Sequence, residues 1–103
     1  MKVIHKALLK ELSQPGLCEW CNKYCSDGLD PHHIFSRGAG RVDIRKNLVS
    51  LCRTCHSSNH NGKEPTRVQL LLLVSVRERT TAEEIIEMVQ RIRADDKCKV
   101  WEL

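Results

Sequence analysis

Four of the five histidines lie in one short stretch of the chain, in two pairs of different spacing. His56 and His60 are four residues apart, in a segment that we predict to be a helix from Arg53 to Asn61 and to end at Gly62. This spacing places both imidazoles on one face of a helix, one turn apart, where both can bind the same cation. The pattern therefore predicts two ligands of a metal site.

The other pair, His32 and His33, lies in a segment that we predict to be a strand from Leu29 to Phe35. Adjacent side chains of a strand point to opposite sides, so we expect one of the two to bind the ion and the other to stay free. A free histidine titrates near neutral pH and can act as a general base. The spacing alone leaves open which histidine has which role.

Two Cys-x-x-Cys pairs accompany the histidines. One pair precedes His32 and the other directly precedes His56, and 30 residues lie between the two pairs. A tight turn brings both sulfurs of such a pair to one ion, and two pairs at this separation predict a structural zinc with four thiolate ligands. Cys25 is a substitute ligand at a looser spacing, and Cys98 has no partner in the pattern, so we expect both to be free thiols. The predicted zinc ligands are Cys18, Cys21, Cys52 and Cys55.

Positive charge is concentrated in the same region. Between residues 31 and 63, six basic residues face a single acid, Asp43, whereas the flanking segments are nearly neutral. Such a field suits a polyanion such as a nucleic-acid backbone. A solvated surface loop is the plainer interpretation of any one arginine, but it does not account for the whole set. The candidate phosphate contacts are Arg37, Arg41, Arg45, Lys46 and Arg53.

The remaining elements are predicted to support this region. We expect a helix over Val3 to Leu12, a loop from Ser36 to Lys46 and a second strand from Asn47 to Cys52. The apolar segment from Thr66 to Val76 suits a helix or a strand, and its length favours a buried helix. Thr81 begins a last helix with a capping box, whose apolar stripe suits the core or a dimer interface and contains Ile85, Met88, Val89 and Ile92.

Length and composition limit the class of protein. The 103 residues with only four aromatic side chains suit one small domain that needs a metal staple. Four of the first twelve residues are charged, which does not suit a signal peptide, and no run approaches the ~18 apolar residues of a membrane helix. We therefore expect a cytoplasmic protein without a membrane partner, in which paired cysteines bind zinc instead of forming disulfides.

A cation held by three imidazoles with open positions, a free histidine and a basic loop describe one reaction class well. The cation can stabilise charge on a phosphate and on its leaving oxygen, and the histidine can activate a water. Arginines around the site would hold the flanking phosphates. Together these features favour hydrolysis of a phosphodiester bond.

The order of these motifs, with Asn47 between the two histidine pairs, resembles the HNH endonuclease family in its zinc-bound, four-cysteine branch. The resemblance covers roughly residues 17–63. It implies a ββα-metal fold with His33 as general base, with Asn47 orienting that base and steadying the loop between the strands. It also implies that the ligands of the catalytic ion are His32, His56 and His60.

Proteins of this family cut DNA with Mg²⁺, Mn²⁺ or a transition metal such as Ni²⁺ or Zn²⁺, and many small members serve phages or mobile elements in a bacterial host, in packaging or restriction. We thus expect one α+β domain over residues 1–103, with an HNH core near 17–63, an N-terminal helix and a helical extension over 64–103. A homodimer through the C-terminal helices would be one source of specificity. The alternative is a catalytically inactive zinc-knuckle module that binds DNA or serves assembly.

Overall fold

The structure is a computed structural model that describes residues 1–96 and 98–103. Within these residues it contains four α-helices and three two-stranded sheets, which confirms the predicted α+β class. The helices are α1 (Lys6–Leu12), α2 (Arg53–His60), α3 (Arg67–Arg77) and α4 (Ala82–Ala94). The strands are β1 (Lys2–Ile4), β2 (Gly16–Leu17), β3 (Tyr24–Cys25), β4 (Asp30–His33), β5 (Leu48–Leu51) and β6 (Val100–Glu102).

The centre of the fold is the antiparallel pair β4–β5 followed by α2. In the register of this pair, His32 lies opposite Val49 and His33 lies opposite Leu48. Every residue of β5 is buried, so this strand anchors β4 against the core. Helix α2 starts directly after Cys52 and is followed by Gly62, whose φ of 74° suits glycine at a helix end. The predicted strand–strand–helix order is confirmed.

A second hairpin, β2–β3, carries the first cysteine pair on its turn. Its strands pair Gly16 with Cys25 and Leu17 with Tyr24. The turn is attached to β5 by two hydrogen bonds, since the Glu19 N–H donates to the Ser50 carbonyl at 2.9 Å and the Ser50 N–H donates to the Glu19 carboxylate at 2.7 Å. The hairpin is thereby held close to the second cysteine pair, which follows β5.

The N-terminus differs from the prediction of a helix that begins at Val3. Lys2–Ile4 form strand β1, which pairs in parallel with β6 so that Val3 lies opposite Trp101. The helix begins only at Lys6. The chain end from Cys98 to Leu103, which the sequence suggested to be a tail, supplies this partner strand. A pairing between the two ends of the chain is non-local and leaves no trace in the spacing of apolar residues within one segment.

Strand β1 also contacts the loop between β4 and β5. The Val3 N–H donates to the Arg41 carbonyl at 2.9 Å, and the Asp43 N–H donates to the Val3 carbonyl at 2.8 Å. A β-bridge joins Val3 to Val42, and both side chains are buried. The N-terminal strand therefore fixes the second half of this loop.

The helices α3 and α4 pack on the same core as the ββα unit. Leu70 and Val74 of α3 and Ile85 of α4 are fully buried in one cluster with Val49 and Leu51 of β5. Val89 is buried as well, so the apolar stripe of α4 belongs to the core. None of the described helices is long and apolar enough to cross a lipid bilayer.

The caps of these two helices differ from the predicted pattern. The Thr81 hydroxyl accepts from the Glu84 N–H at 3.1 Å, but the Glu84 carboxylate accepts from the Thr80 hydroxyl instead of completing a capping box. A complete capping box begins α3, where Thr66 and Gln69 satisfy each other's backbone N–H groups.

Candidate active site and metal sites

Three imidazoles converge where β4 faces α2. His32 comes from β4, and His56 and His60 come from successive turns of α2. One nitrogen of each ring lies within 4.8 Å of the others, and the Nε2 atoms of His56 and His60 are 2.9 Å apart. Their donor chemistry fits one divalent cation, so these residues could hold a metal ion. The structure thus brings together the three histidines that the sequence suggested as ligands.

The His32 ring is the most buried of the three. Burial, followed by the nearby His56 and His60 rings, lowers the pKa of His32 to about 4. His32 is therefore neutral at neutral pH, which is the protonation state that binds a metal.

Asp30 contacts the Nδ1 atom of His56. Its carboxylate lies 3.1 Å from the Nδ1 atom of His56 and also pairs with Arg53 at 2.9 Å. A carboxylate in this position fixes the tautomer and the orientation of a ligand histidine, so that Nε2 faces the ion. Asp30 was not among the predicted site residues, although it lies only two residues before His32 and at the start of the same strand.

His33 lies outside this group of three and contacts Asp43 instead. The His33 Nε2 atom lies 2.7 Å from Oδ1 of Asp43, and the Asp43 side chain is fully buried. The same carboxylate also accepts hydrogen bonds from the backbone N–H of His5 at 2.9 Å and from Arg41. Burial lowers the pKa of His33, while its contact with Asp43 opposes this shift.

Asp43 remains ionised despite its burial. Burial alone would raise the pKa of Asp43, but Arg41, the His5 N–H and His33 together lower it to about 2. In the sequence, Asp43 stood out only as the single acid of the basic stretch. That isolation among arginines was the available signal of its structural importance.

Asn47 is buried and holds the loop between β4 and β5. Its side-chain oxygen accepts from the Phe35 N–H at 2.8 Å, and its amide nitrogen donates to the Val42 carbonyl at 2.9 Å and the Phe35 carbonyl at 3.3 Å. The side-chain hydrogen bonds that the structure describes for Asn47 thus join the two ends of the loop.

The four cysteines of the two Cys-x-x-Cys pairs form a second cluster. One sulfur of each lies within 4.8 Å of the others, and those of Cys21 and Cys52 are 3.8 Å apart. Burial raises the pKa of Cys18, but three backbone N–H groups outweigh this effect and lower it to about 7. The cluster fits a tetrahedral zinc site, with Cys25 and Cys98 outside it among the free cysteines that the structure describes.

The histidines lie on a cleft of about 940 Å³. Of the basic candidates, Arg37 lines this cleft, while three arginines pair with carboxylates: Arg41 with Asp43, Arg45 with Glu11 and Arg53 with Asp30. Lys46 is half-buried and precedes β5. Three basic residues that were not among the candidates also line the cleft, namely Lys10, Lys63 and Arg67. Lys10 and Arg67 come from helices outside the motif, so no local spacing marked them.

Comparison with known proteins agrees with this geometry. Residues 18–62 match the model of the HNH endonuclease family. No curated protein and no solved structure matches the chain significantly. The matched range contains both cysteine pairs, Asn47 and all four histidines of the site. The segment from residue 18 to residue 62 is therefore similar to the HNH endonuclease family, and the clustering of its four cysteines is consistent with the zinc-bound branch of that family.

Proposed function

We propose that this protein is a metal-dependent endonuclease that hydrolyses phosphodiester bonds of DNA. The observation that carries the proposal is the convergence of three imidazoles on one point of a cleft, with a fourth, His33, held by Asp43 on the wall of the same cleft. An ion at that point would supply positive charge to stabilise the phosphate and the leaving oxygen.

In this proposal His33 is the general base. It takes a proton from a water molecule, and the resulting hydroxide attacks the phosphorus on the side opposite the leaving oxygen. The bond to that oxygen breaks, the leaving oxygen takes up a proton from solvent, and the products are a 5′-phosphate and a 3′-hydroxyl end. His32, His56 and His60 would hold the ion, and Asn47 keeps the loop beside the base in place.

The ligand set bears on the choice of metal. Neutral imidazoles suit Zn²⁺, Ni²⁺ and other transition metals, whereas Mg²⁺ prefers oxygen ligands and keeps several waters. With three imidazoles and no carboxylate in the cluster, a transition metal fits this site better than Mg²⁺ does. The four thiolates would hold a separate, structural Zn²⁺.

DNA would be bound through its phosphates. Arg37, Lys63 and Arg67 line the cleft. They would contact a DNA strand that entered it. Arg45 and Arg53 have side chains that are 51% and 84% exposed, so each could exchange its carboxylate partner for a phosphate. Such contacts provide affinity without reading the sequence of bases.

Arg41 and Lys46 are placed differently. The Arg41 side chain is only 17% exposed and contacts the buried Asp43. It would therefore act mainly by holding the Asp43 carboxylate, and not by contacting DNA directly. Lys46 adds to the positive field of the loop.

The specificity of such an enzyme would come from a partner protein or from a homodimer through the C-terminal helices. Val68, Leu72 and Val76 are spaced four residues apart on α3 and are 65%, 55% and 80% exposed. This apolar stripe is a candidate contact between two copies. Light scattering of the wild type and of a Leu72→Lys variant tests it, since the variant should be monomeric.

The nuclease proposal is tested by incubating supercoiled plasmid with zinc-loaded protein and Ni²⁺, Mn²⁺ or Mg²⁺. We expect cutting with the wild type and a loss of about 10²-fold or more in His33→Ala. Lys2→Ala, on an exposed residue of β1, serves as the control and should cut normally. Binding without cutting under every metal would instead support a catalytically inactive DNA-binding module.

A further inference from the structure

We propose that Asp43 is a positioning residue that fixes the tautomer of His33, so that Nδ1 is the atom that takes the proton from water. The inference rests on the proposed function, because it refines the role of the same base. It assigns a role to a residue outside the histidine and cysteine motifs, and it predicts which of two ring nitrogens reacts.

The contact geometry determines the position of the proton. An ionised carboxylate can only accept hydrogen bonds. The contact of 2.7 Å between Oδ1 of Asp43 and Nε2 of His33 therefore requires the hydrogen of the imidazole to lie on Nε2. In a neutral imidazole the other nitrogen, Nδ1, then carries the lone pair and can accept a proton.

The carboxylate itself is held from all sides. Its Oδ2 atom accepts from the His5 N–H at 2.9 Å, and the Arg41 Nε atom lies 3.0 Å from Oδ1 and 2.9 Å from Oδ2. The Arg41 Nη2 atom lies 2.8 Å from Oδ2. The His5 N–H and the Arg41 guanidinium can only donate, so the positions around the two carboxylate oxygens suit a group that offers acceptors only.

The backbone of Asp43 is fixed as firmly as its side chain. Its N–H donates to the Val3 carbonyl at 2.8 Å, and the preceding residue, Val42, has its carbonyl bound by the Asn47 side chain at 2.9 Å. Strand β1 thus has a defined task in this proposal, since it places the carboxylate beside the base from a distant part of the chain.

The substitution Asp43→Asn makes the proposal testable. An amide offers one acceptor and one donor, whereas the Oδ2 side faces donors from His5 and from Arg41. The amide oxygen must therefore face that side, and its N–H₂ group must face His33. His33 then has to accept through Nε2 and carry its hydrogen on Nδ1, which removes the lone pair from the reactive position.

The experiment measures the ¹⁵N shifts of the histidine rings in zinc-loaded protein by NMR, with His33→Ala used to identify the His33 signals. In the wild type we expect a protonated Nε2 and an unprotonated Nδ1. In Asp43→Asn we expect the reverse. Single-turnover cutting of plasmid by Asp43→Asn should fall by about 10²-fold or more, with an unchanged Kd for DNA.

A wild-type His33 with its hydrogen on Nδ1 would overturn the proposal, and this result needs no variant to fold. Asp43→Asn with the wild-type tautomer and the wild-type rate would also overturn it. A purely structural Asp43 would change the melting temperature but leave the tautomer as in the wild type. A wild type with the expected tautomer that fails to cut DNA would support the role of Asp43 while refuting the proposed function.

Discussion

The carboxylate of Asp30 lies 3.1 Å from Nδ1 of His56, while Nε2 of the same ring lies 2.9 Å from Nε2 of His60. Asp30 is the first residue of the strand that carries His32, so one short strand supplies both a candidate ligand and the support of another. A carboxylate that hydrogen-bonds the free ring nitrogen of a ligand histidine holds that ring at the angle that the metal requires.

We predict that Asp30→Ala weakens binding of Ni²⁺ to the histidine site by about 10- to 100-fold, because His56 loses the partner that orients it. Isothermal titration of the zinc-loaded protein measures this affinity. Asp27→Ala serves as a matched control, since Asp27 is an exposed acid three residues away, and it should leave the affinity unchanged. Equal affinities of all three proteins would contradict a supporting role of Asp30.

Removal of the structural zinc should unfold the hairpin of the first cysteine pair and the start of α2. A structural zinc contributes on the order of 10 kcal/mol in small peptides, and here it would join β2–β3 to the end of β5. Circular dichroism and hydrogen exchange before and after chelation measure the loss. Cys52→Ser should behave like the chelated protein, whereas Cys25→Ser should remain folded. A Cys52→Ser protein as stable as the wild type would rule out this site.

The acid dependence of stability should report Asp43. Its pKa of about 2 in the folded protein lies below the ordinary value of 3.8, so the folded state prefers the ionised form. The resulting stabilisation, about 2 kcal/mol, is complete above pH 4 and is lost as the pH falls through about 2.

Urea unfolding of the wild type and of Asp43→Asn measures this contribution, and the zinc site is common to both proteins. We expect the difference in their free energies of unfolding to be largest near neutral pH and to shrink below pH 4. The exposed Asp27→Asn is the control and should follow the wild type. A difference that stays constant down to pH 2 would show that the ionisation of Asp43 does not stabilise the fold.

Arg93 of α4 should stabilise the loop between β4 and β5. Its guanidinium donates to the Gly40 carbonyl at 2.9 Å and to the Ser36 carbonyl at 2.7 Å. Hydrogen bonds from a charged group contribute about 1.5–3 kcal/mol each when buried, and less at this partly exposed site. We predict that Arg93→Ala speeds hydrogen exchange at residues 36–42 and slows the cutting of DNA.

The control for this variant is Arg91→Ala, because Arg91 is an exposed residue of the same helix that pairs with Glu87 away from the loop. Arg91→Ala should change neither the exchange rates of the loop nor the rate of cutting. If Arg93→Ala also changed neither, α4 would have no role in holding the loop.

Local spacing along the chain was enough to predict the ββα order, the two cysteine pairs and the convergence of the histidines. Each of these depends on local geometry: a turn closes a Cys-x-x-Cys pair, a helix aligns residues four apart, and a strand sends neighbours to opposite sides. His56 and His60 therefore lie together on α2. Of the two adjacent strand residues, His32 joins them, whereas His33 contacts Asp43.

The partners of these groups, in contrast, depend on the packing of segments that are distant in the sequence. The contact of His33 with Asp43, the pairing of β1 with β6 and the bonds from Arg93 to the loop join residues that no short-range pattern relates. The same holds for Arg41, whose charge suggested a DNA contact and whose guanidinium lies against a buried carboxylate. Such contacts depend on how separate segments pack, because the energy of an ion pair or a strand pairing is set by the distance between the groups in space.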